Sequence, residues 1–121
     1  MTETLNKSTR DAYGPALVEL AALYDDLVVI DGDVGAPAFK DAARNLRSNR
    51  YFNMGIAEQN MILTSAGLSL ANFRVFVSSL ASFLVGRAYD EIRETIAIPG
   101  LPVKLIASYG GVTVGEDGAT H

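Results

Sequence analysis

The side chains able to do chemistry in this sequence fall in a few short stretches. The first is Asn53-Met54-Gly55-Ile56-Ala57-Glu58-Gln59-Asn60-Met61, in which a glycine turn delivers the Glu58 carboxylate into the start of a long apolar segment. A charged group entering a core needs a partner or a task. A glutamate in the first turn of a helix commonly does no more than meet the positive helix end, so Glu58 alone does not define a reaction. The second stretch, Gly115-Glu116-Asp117-Gly118, places two acids between glycines and precedes His121, the sole histidine. Such a pair usually forms a solvated turn, and the alternating ligands and later glutamate of a calcium loop are missing. With no cysteine and one histidine, thiolate zinc sites, disulfides and cysteine nucleophiles are excluded, and a self-contained histidine metal cluster or Ser-His-Asp triad is not expected. Neither Gly-x-Gly-x-x-Gly nor a P-loop occurs, so nucleotide phosphates have no cradle in this chain.

These residues must be positioned by the elements between them. Ser8 and Thr9 are candidate N-caps for a helix over residues 8 to 24, with Ala12, Ala16, Leu17, Leu20, Ala21 and Leu23 at helical spacing. Pro15 falls inside it, which predicts a start near Gly14 or a kink, with Arg10 on the lead-in. Leu27 to Ile30 reads as a strand covered on both faces, ending in Asp31-Gly32-Asp33. Residues 37 to 47 read as a short helix, and Tyr51 to Asn53 as a short strand. The segment after Glu58 makes a buried helix to about Ala71, with Asn72 as its C-cap. Val75 to Val77 is a third strand, residues 82 to 97 a single further helix, and Val103 to Ala107 the last strand before a glycine-rich tail. The alternation predicts an α/β fold, a mostly parallel sheet flanked by helices on both faces. Loops at the C-terminal ends of such strands are where open sheets bind ligands.

The 121 residues, 49% hydrophobic and 20% charged, suffice for one domain with a real core. A net charge of -4 without any Lys/Arg cluster argues against nucleic acid or an anionic membrane as partner. The N-terminal residues carry no secretory signal and no apolar run approaches membrane-spanning length, so the cytoplasm is the expected location.

Read in order, the stretches "GIAEQNM", "SSLASFLVGRAYDEIR" and "GGVTVGEDGATH" together resemble the pyrimidine-binding domain of the transketolase family, at family spacing and over nearly all of the chain from Val28 onward. The wording is most similar to split transketolases, in which two halves of the enzyme are separate polypeptides. The resemblance implies thiamine diphosphate as cofactor. It gives Glu58 the role of hydrogen-bonding N1′ of the aminopyrimidine, which favours the imino tautomer able to deprotonate the thiazolium. Phe83 would pack on the pyrimidine ring. Arg10 would hold a sugar phosphate, Asp117 would read a substrate hydroxyl, and His121 would contact the donor's carbonyl and hydroxyl oxygens. The diphosphate and its Mg²⁺ would be gripped by another domain, since no Gly-Asp-Gly with a downstream asparagine appears here.

The implied activity is transfer of a two-carbon ketol unit from a ketose to an aldose, in a homodimer or heterotetramer with a diphosphate-binding partner subunit. Some positions depart from the family pattern: Tyr109 replaces a frequent histidine, Ala36-Pro37-Ala38 a serine or threonine, and Leu80 a frequent aromatic of the pyrimidine pocket. The first two remove expected phosphate contacts. A tail that follows a parallel strand directly suggests a domain lacking its last strands and the C-terminal domain, so the isolated chain is expected to self-associate or bind hydrophobic dyes. The alternative function is a non-catalytic truncated assembly module.

Overall fold

The computed structural model describes residues 8–34, 49–112 and 114–121. The expected helix over 37 to 47 and the departure at Ala36-Pro37-Ala38 lie outside them. The described chain runs α1 (Thr9–Leu23), β1 (Leu27–Asp31), β2 (Tyr51–Asn53), α2 (Glu58–Leu70), β3 (Arg74–Leu80), α3 (Ala81–Arg87), α4 (Tyr89–Glu91), a π-helical turn (Ile92–Ala97), β4 (Lys104–Ser108) and a 3₁₀ segment (Gly115–Thr120). The strands form one sheet in the order β2-β1-β3-β4, and every pair is parallel.

The period-two alternation of strand side chains distributes two cores over the faces of this sheet. On one face Leu17 of α1 packs with Leu27 and Val29, joined by Tyr13, Leu20 and Phe76. On the other, Ile30, Val75 and Val77 meet Met61, Ile62 and Ala66 of α2, Leu84 of α3 and Ile96. Helices therefore cover both faces, as the alternation predicted. All five residues of β1 are buried, because β1 is a central strand.

Two helices differ from expectation. The α1 helix begins at Thr9, with the Ser8 hydroxyl accepting from the Asp11 amide at 3.2 Å, and continues through Pro15. The cap and the packed Leu17 face outweigh the single bond that proline forgoes, so Arg10 lies in the first helical turn rather than ahead of it. Residues 82 to 97 are not one helix. The α3 helix ends at Arg87, Ala88 takes φ -107° and ψ 26°, and the chain resumes as α4 before widening into the π turn. Wide spacing shows in the Ile98 amide donating to the Arg93 carbonyl and the Leu101 amide to the Ile96 carbonyl. At the end of α2, Ala71 is the C-cap and Asn72 follows in the left-handed region at φ 67°.

Candidate active site

The sheet order reverses between β1 and β3: the chain leaves β1 for β2 on one side and returns to β3 on the other. In open parallel sheets the crevice at the C-terminal edge of such strands is the ligand-binding position. Asp31 pairs in register with Ser78 at this edge, and the Gly32 amide donates to the Ser78 carbonyl at 3.0 Å. A Cβ on Gly32 would come within 2.9 Å of Ser79 Oγ and 3.3 Å of Met61 Cε, so only glycine lets β1 end this close to its neighbours.

The turn from β2 carries Glu58 into this crevice. Asn53 Oδ1 accepts from the Gly55 amide at 2.9 Å, and Gly55 takes φ 70°, a left-handed value that glycine adopts without strain. Asn53 Nδ2 also donates to Asp33 Oδ1 at 2.8 Å, tying the ends of β1 and β2 together. The first residue of α2 is therefore Glu58, and its side chain is only 1% exposed. Ser79 Oγ, at the end of β3, donates to Oε1 at 3.2 Å. Arg87 Nη1, from the last residue of α3, donates to Oε2 at 2.7 Å in an ion pair. The buried carboxylate thus has a partner on each oxygen as well as the positive end of its own helix.

Aromatic surface adjoins it. The Arg87 guanidinium lies 4.9 Å from the Phe83 ring centroid, and His121 stands edge-on to the same ring at 5.1 Å and 76°. Ser82 Oγ donates to the His121 main-chain oxygen at 2.6 Å, which folds the tail back onto α3. Glu58, Phe83 and His121, far apart in sequence, are joined in this way, with Arg87 at the centre.

Arg10 belongs to a neighbouring open groove of about 490 Å³, lined by Ser8, Thr9, Ser108, Tyr109 and Gly110 among others. Its guanidinium stacks on Tyr109 at 4.7 Å. Tyr109 holds φ 59°, so its backbone is bent into the left-handed region where the ring meets Arg10. Asp117 is exposed in the 3₁₀ segment, where its carbonyl accepts from Thr120 Oγ1 at 3.3 Å. No described bond joins Asp117 to the Glu58 cluster. Among the described residues, no group of three or more His, Cys, Asp or Glu is placed to hold a metal ion.

Beneath the crevice, Tyr51 donates to Asp31 Oδ2 at 2.8 Å. Burial, that hydrogen bond and the charges of Asp31 and Asp33 push the Tyr51 hydroxyl well above its ordinary pKa, and burial together with Asp31 and Tyr51 does the same to Tyr13.

A family model described as the transketolase pyrimidine-binding domain matches residues 6–121, and so includes every element of the crevice. The chain belongs to this family. A protein of Methanocaldococcus jannaschii named as a transketolase C-terminal section is 44% identical over 115 residues, covering 95% of this chain and 36% of that protein. Human transketolase is 38% identical over 115 residues, covering 94% of the chain and 18% of the enzyme. A 1-deoxy-D-xylulose-5-phosphate synthase of Mycolicibacterium gilvum is 36% identical over 110 residues, covering 91% and 17%. Among solved structures, a split gene transketolase described as an inactive beta4 tetramer superposes with a TM-score of 0.72 at 44% identity, covering 82% of this chain and 33% of that one. The chain thus spans about a third of the split-type relatives and less than a fifth of the longer enzymes.

Sequence reasoning singled out Glu58, Phe83 and His121, which the fold brings together, and Arg10, which it sets in the adjoining groove. It missed Ser79 and Arg87. A signal for Arg87 was present: it lies four residues after Phe83 within the second of the three motifs, one helical turn on, where an arginine and a ring share a face. Ser79 gave no comparable signal, because its partner is fixed only by the packing of α2 on β3.

Proposed function

We propose that this chain is the pyrimidine-binding part of a thiamine-diphosphate-dependent enzyme that transfers a two-carbon ketol unit from a ketose to an aldose, working with a diphosphate-binding partner subunit. The observation that carries this reading is a carboxylate, 1% exposed, at the N-terminus of a helix in the switch-point crevice, with an aromatic ring adjoining. The donor set suits an aminopyrimidine. A flat nitrogen donor, the Arg87 guanidinium, already rests on Glu58 Oε2 and over Phe83, so the space accepts a planar group with that chemistry.

When bound, the cofactor supplies a thiazolium carbon able to attack and hold a ketol fragment. The residues of this chain would serve the aminopyrimidine and the sugar. Glu58 would share a proton with the ring nitrogen at N1′, while Ser79 would keep hold of the carboxyl's other oxygen, Oε1. Phe83 gives that ring an apolar face and excludes water from it. Arg10 holds a phosphate at the far end of the sugar, aided by the Ser8 and Ser108 side of the groove, while Asp117 and His121 contact sugar oxygens. Mg²⁺ and the diphosphate are held by the partner. The exposed apolar residues Ile56, Leu63 and Leu70, seven apart and on or just before α2, offer a surface to another subunit in a homodimer or heterotetramer.

A non-catalytic assembly module is the second reading, favoured by that same exposed surface. Mixing the chain with a diphosphate-binding transketolase subunit and Mg²⁺-thiamine diphosphate, and following ketol transfer, separates the two. Activity should appear with the parent and fall by at least about a hundredfold in Glu58→Ala, the scale of lost general acid-base catalysis. Absent transfer, or a Glu58→Ala chain as active as the parent, supports the module and refutes catalysis.

A further inference from the structure

We propose that Arg87 is a latch occupying the seat of the aminopyrimidine, and that cofactor loading requires its guanidinium to swing out. This rests on the thiamine-diphosphate reading above. One cation makes both contacts which that reading assigns to the ring: Nη1 lies 2.7 Å from Glu58 Oε2, and the guanidinium carbon lies 4.9 Å from the Phe83 centroid. A guanidinium and a pyrimidine are both flat, and they cannot share one oxygen and one ring face.

Geometry also decides which partner of Glu58 yields. The carboxylate is 1% exposed, with Oε1 engaged by Ser79 and Oε2 by Arg87; each oxygen keeps a second lone pair, but the approach to Oε2 across Phe83 is filled by the guanidinium, so a flat ring enters there only by displacing a present partner. Ser79 is fully buried in β3, so its hydroxyl can turn but cannot leave for water. The Arg87 side chain is 44% exposed on a long stem, and it is the last residue of α3 before the backbone break at Ala88. Rotation about the stem carries its charge into water, where an arginine is readily solvated. His121 stands edge-on to Phe83, so it leaves the ring's other contacts in place while Arg87 departs. The latch gives the buried carboxylate a counter-charge until the ring replaces it.

The test measures Mg²⁺-thiamine diphosphate affinity calorimetrically for the parent, Arg87→Ala and Arg87→Met, each assembled with the diphosphate-binding subunit. Met retains an apolar stem, so it reports on the latch if Ala disturbs folding. Removing a competing occupant raises the fraction of open seats, and both variants should bind about three- to tenfold more tightly than the parent. That advantage should shrink as salt rises, because screening opens the parent's partly exposed ion pair. Weaker binding by both variants would make Arg87 a permanent positioning residue and overturn the latch, and unchanged affinity would overturn it as well. A parent assembly that binds no thiamine diphosphate would instead overturn the underlying reading, and the latch with it.

Discussion

Replacing Gly32 with alanine should destabilise the fold by acting on a residue of the neighbouring strand. The new methyl would stand 2.9 Å from Ser79 Oγ, 3.2 Å from Ser79 Cβ and 3.3 Å from Met61 Cε, and Gly32 itself is buried. Met61 has a flexible end and yields at little cost. Ser79 is fully buried in a paired strand, so relief must come from turning its hydroxyl away, which takes a donor from Glu58. Overpacking costs about 1–3 kcal/mol and the forfeited hydrogen bond about 1 kcal/mol more, roughly 2–4 kcal/mol together. With a urea m-value of about 2 kcal/mol/M, the unfolding midpoint should fall by about 1–2 M. Circular dichroism during urea titration reads this directly. A Ser79→Gly background supplies the decisive comparison, for it removes the two nearest atoms and leaves the flexible Met61 Cε as the third, and the added cost of alanine should drop below about 1 kcal/mol. A midpoint shift under about 0.3 M in the parent, or an equal shift in both backgrounds, would refute the steric coupling of β1 to β3.

The same geometry sets other expected outcomes. Tyr51→Phe should lose about 1–3 kcal/mol at neutral pH by removing the hydroxyl that donates to Asp31 Oδ2. Because folding raises the Tyr51 and Tyr13 pKa values above 10, the stability they lend is complete below pH 10 and is lost as pH climbs beyond it. Alkaline unfolding curves should therefore fall less steeply in Tyr51→Phe than in the parent, and parallel curves would count against the assignment. Leu63→Glu and Leu70→Glu alter exposed side chains and should change stability by less than about 0.5 kcal/mol. They should nonetheless reduce the assembled mass seen by sedimentation, and an unchanged mass would remove α2 from the interface.

How far the sequence discloses this molecule depends on the range of the interactions concerned. Leu27 to Ile30 and Val75 to Val77 are strands because β-branched runs suit a pleated surface covered on both sides, a local property. The Gly55 turn that starts α2 is equally local. The break after Arg87 was not legible: Leu84, Ala88, Ile92 and Ile96 keep helical spacing straight through it. The continuation of α1 through Pro15 depends on a cap and a packed face that together exceed a familiar penalty. The partners of Glu58 were hidden for a further reason. Ser79 is 21 residues away and Arg87 29, brought close only by a sheet order that the succession of strands does not dictate.

The π turn at Ile92–Ala97 bears on how lengths vary among relatives. A π turn is an α turn into which one residue has been inserted, and removing that residue rotates the downstream chain by about 100° about the helix axis. Here the segment ends at Pro99-Gly100, with Gly100 at φ 70°, so a connection that can re-aim the chain lies between the turn and β4. A homologue one residue shorter in this stretch can close the turn into ordinary helix and still deliver its next strand beside β3. A single-residue gap there in an alignment then marks a change of helical winding, and it carries no implication that the crevice has been lost.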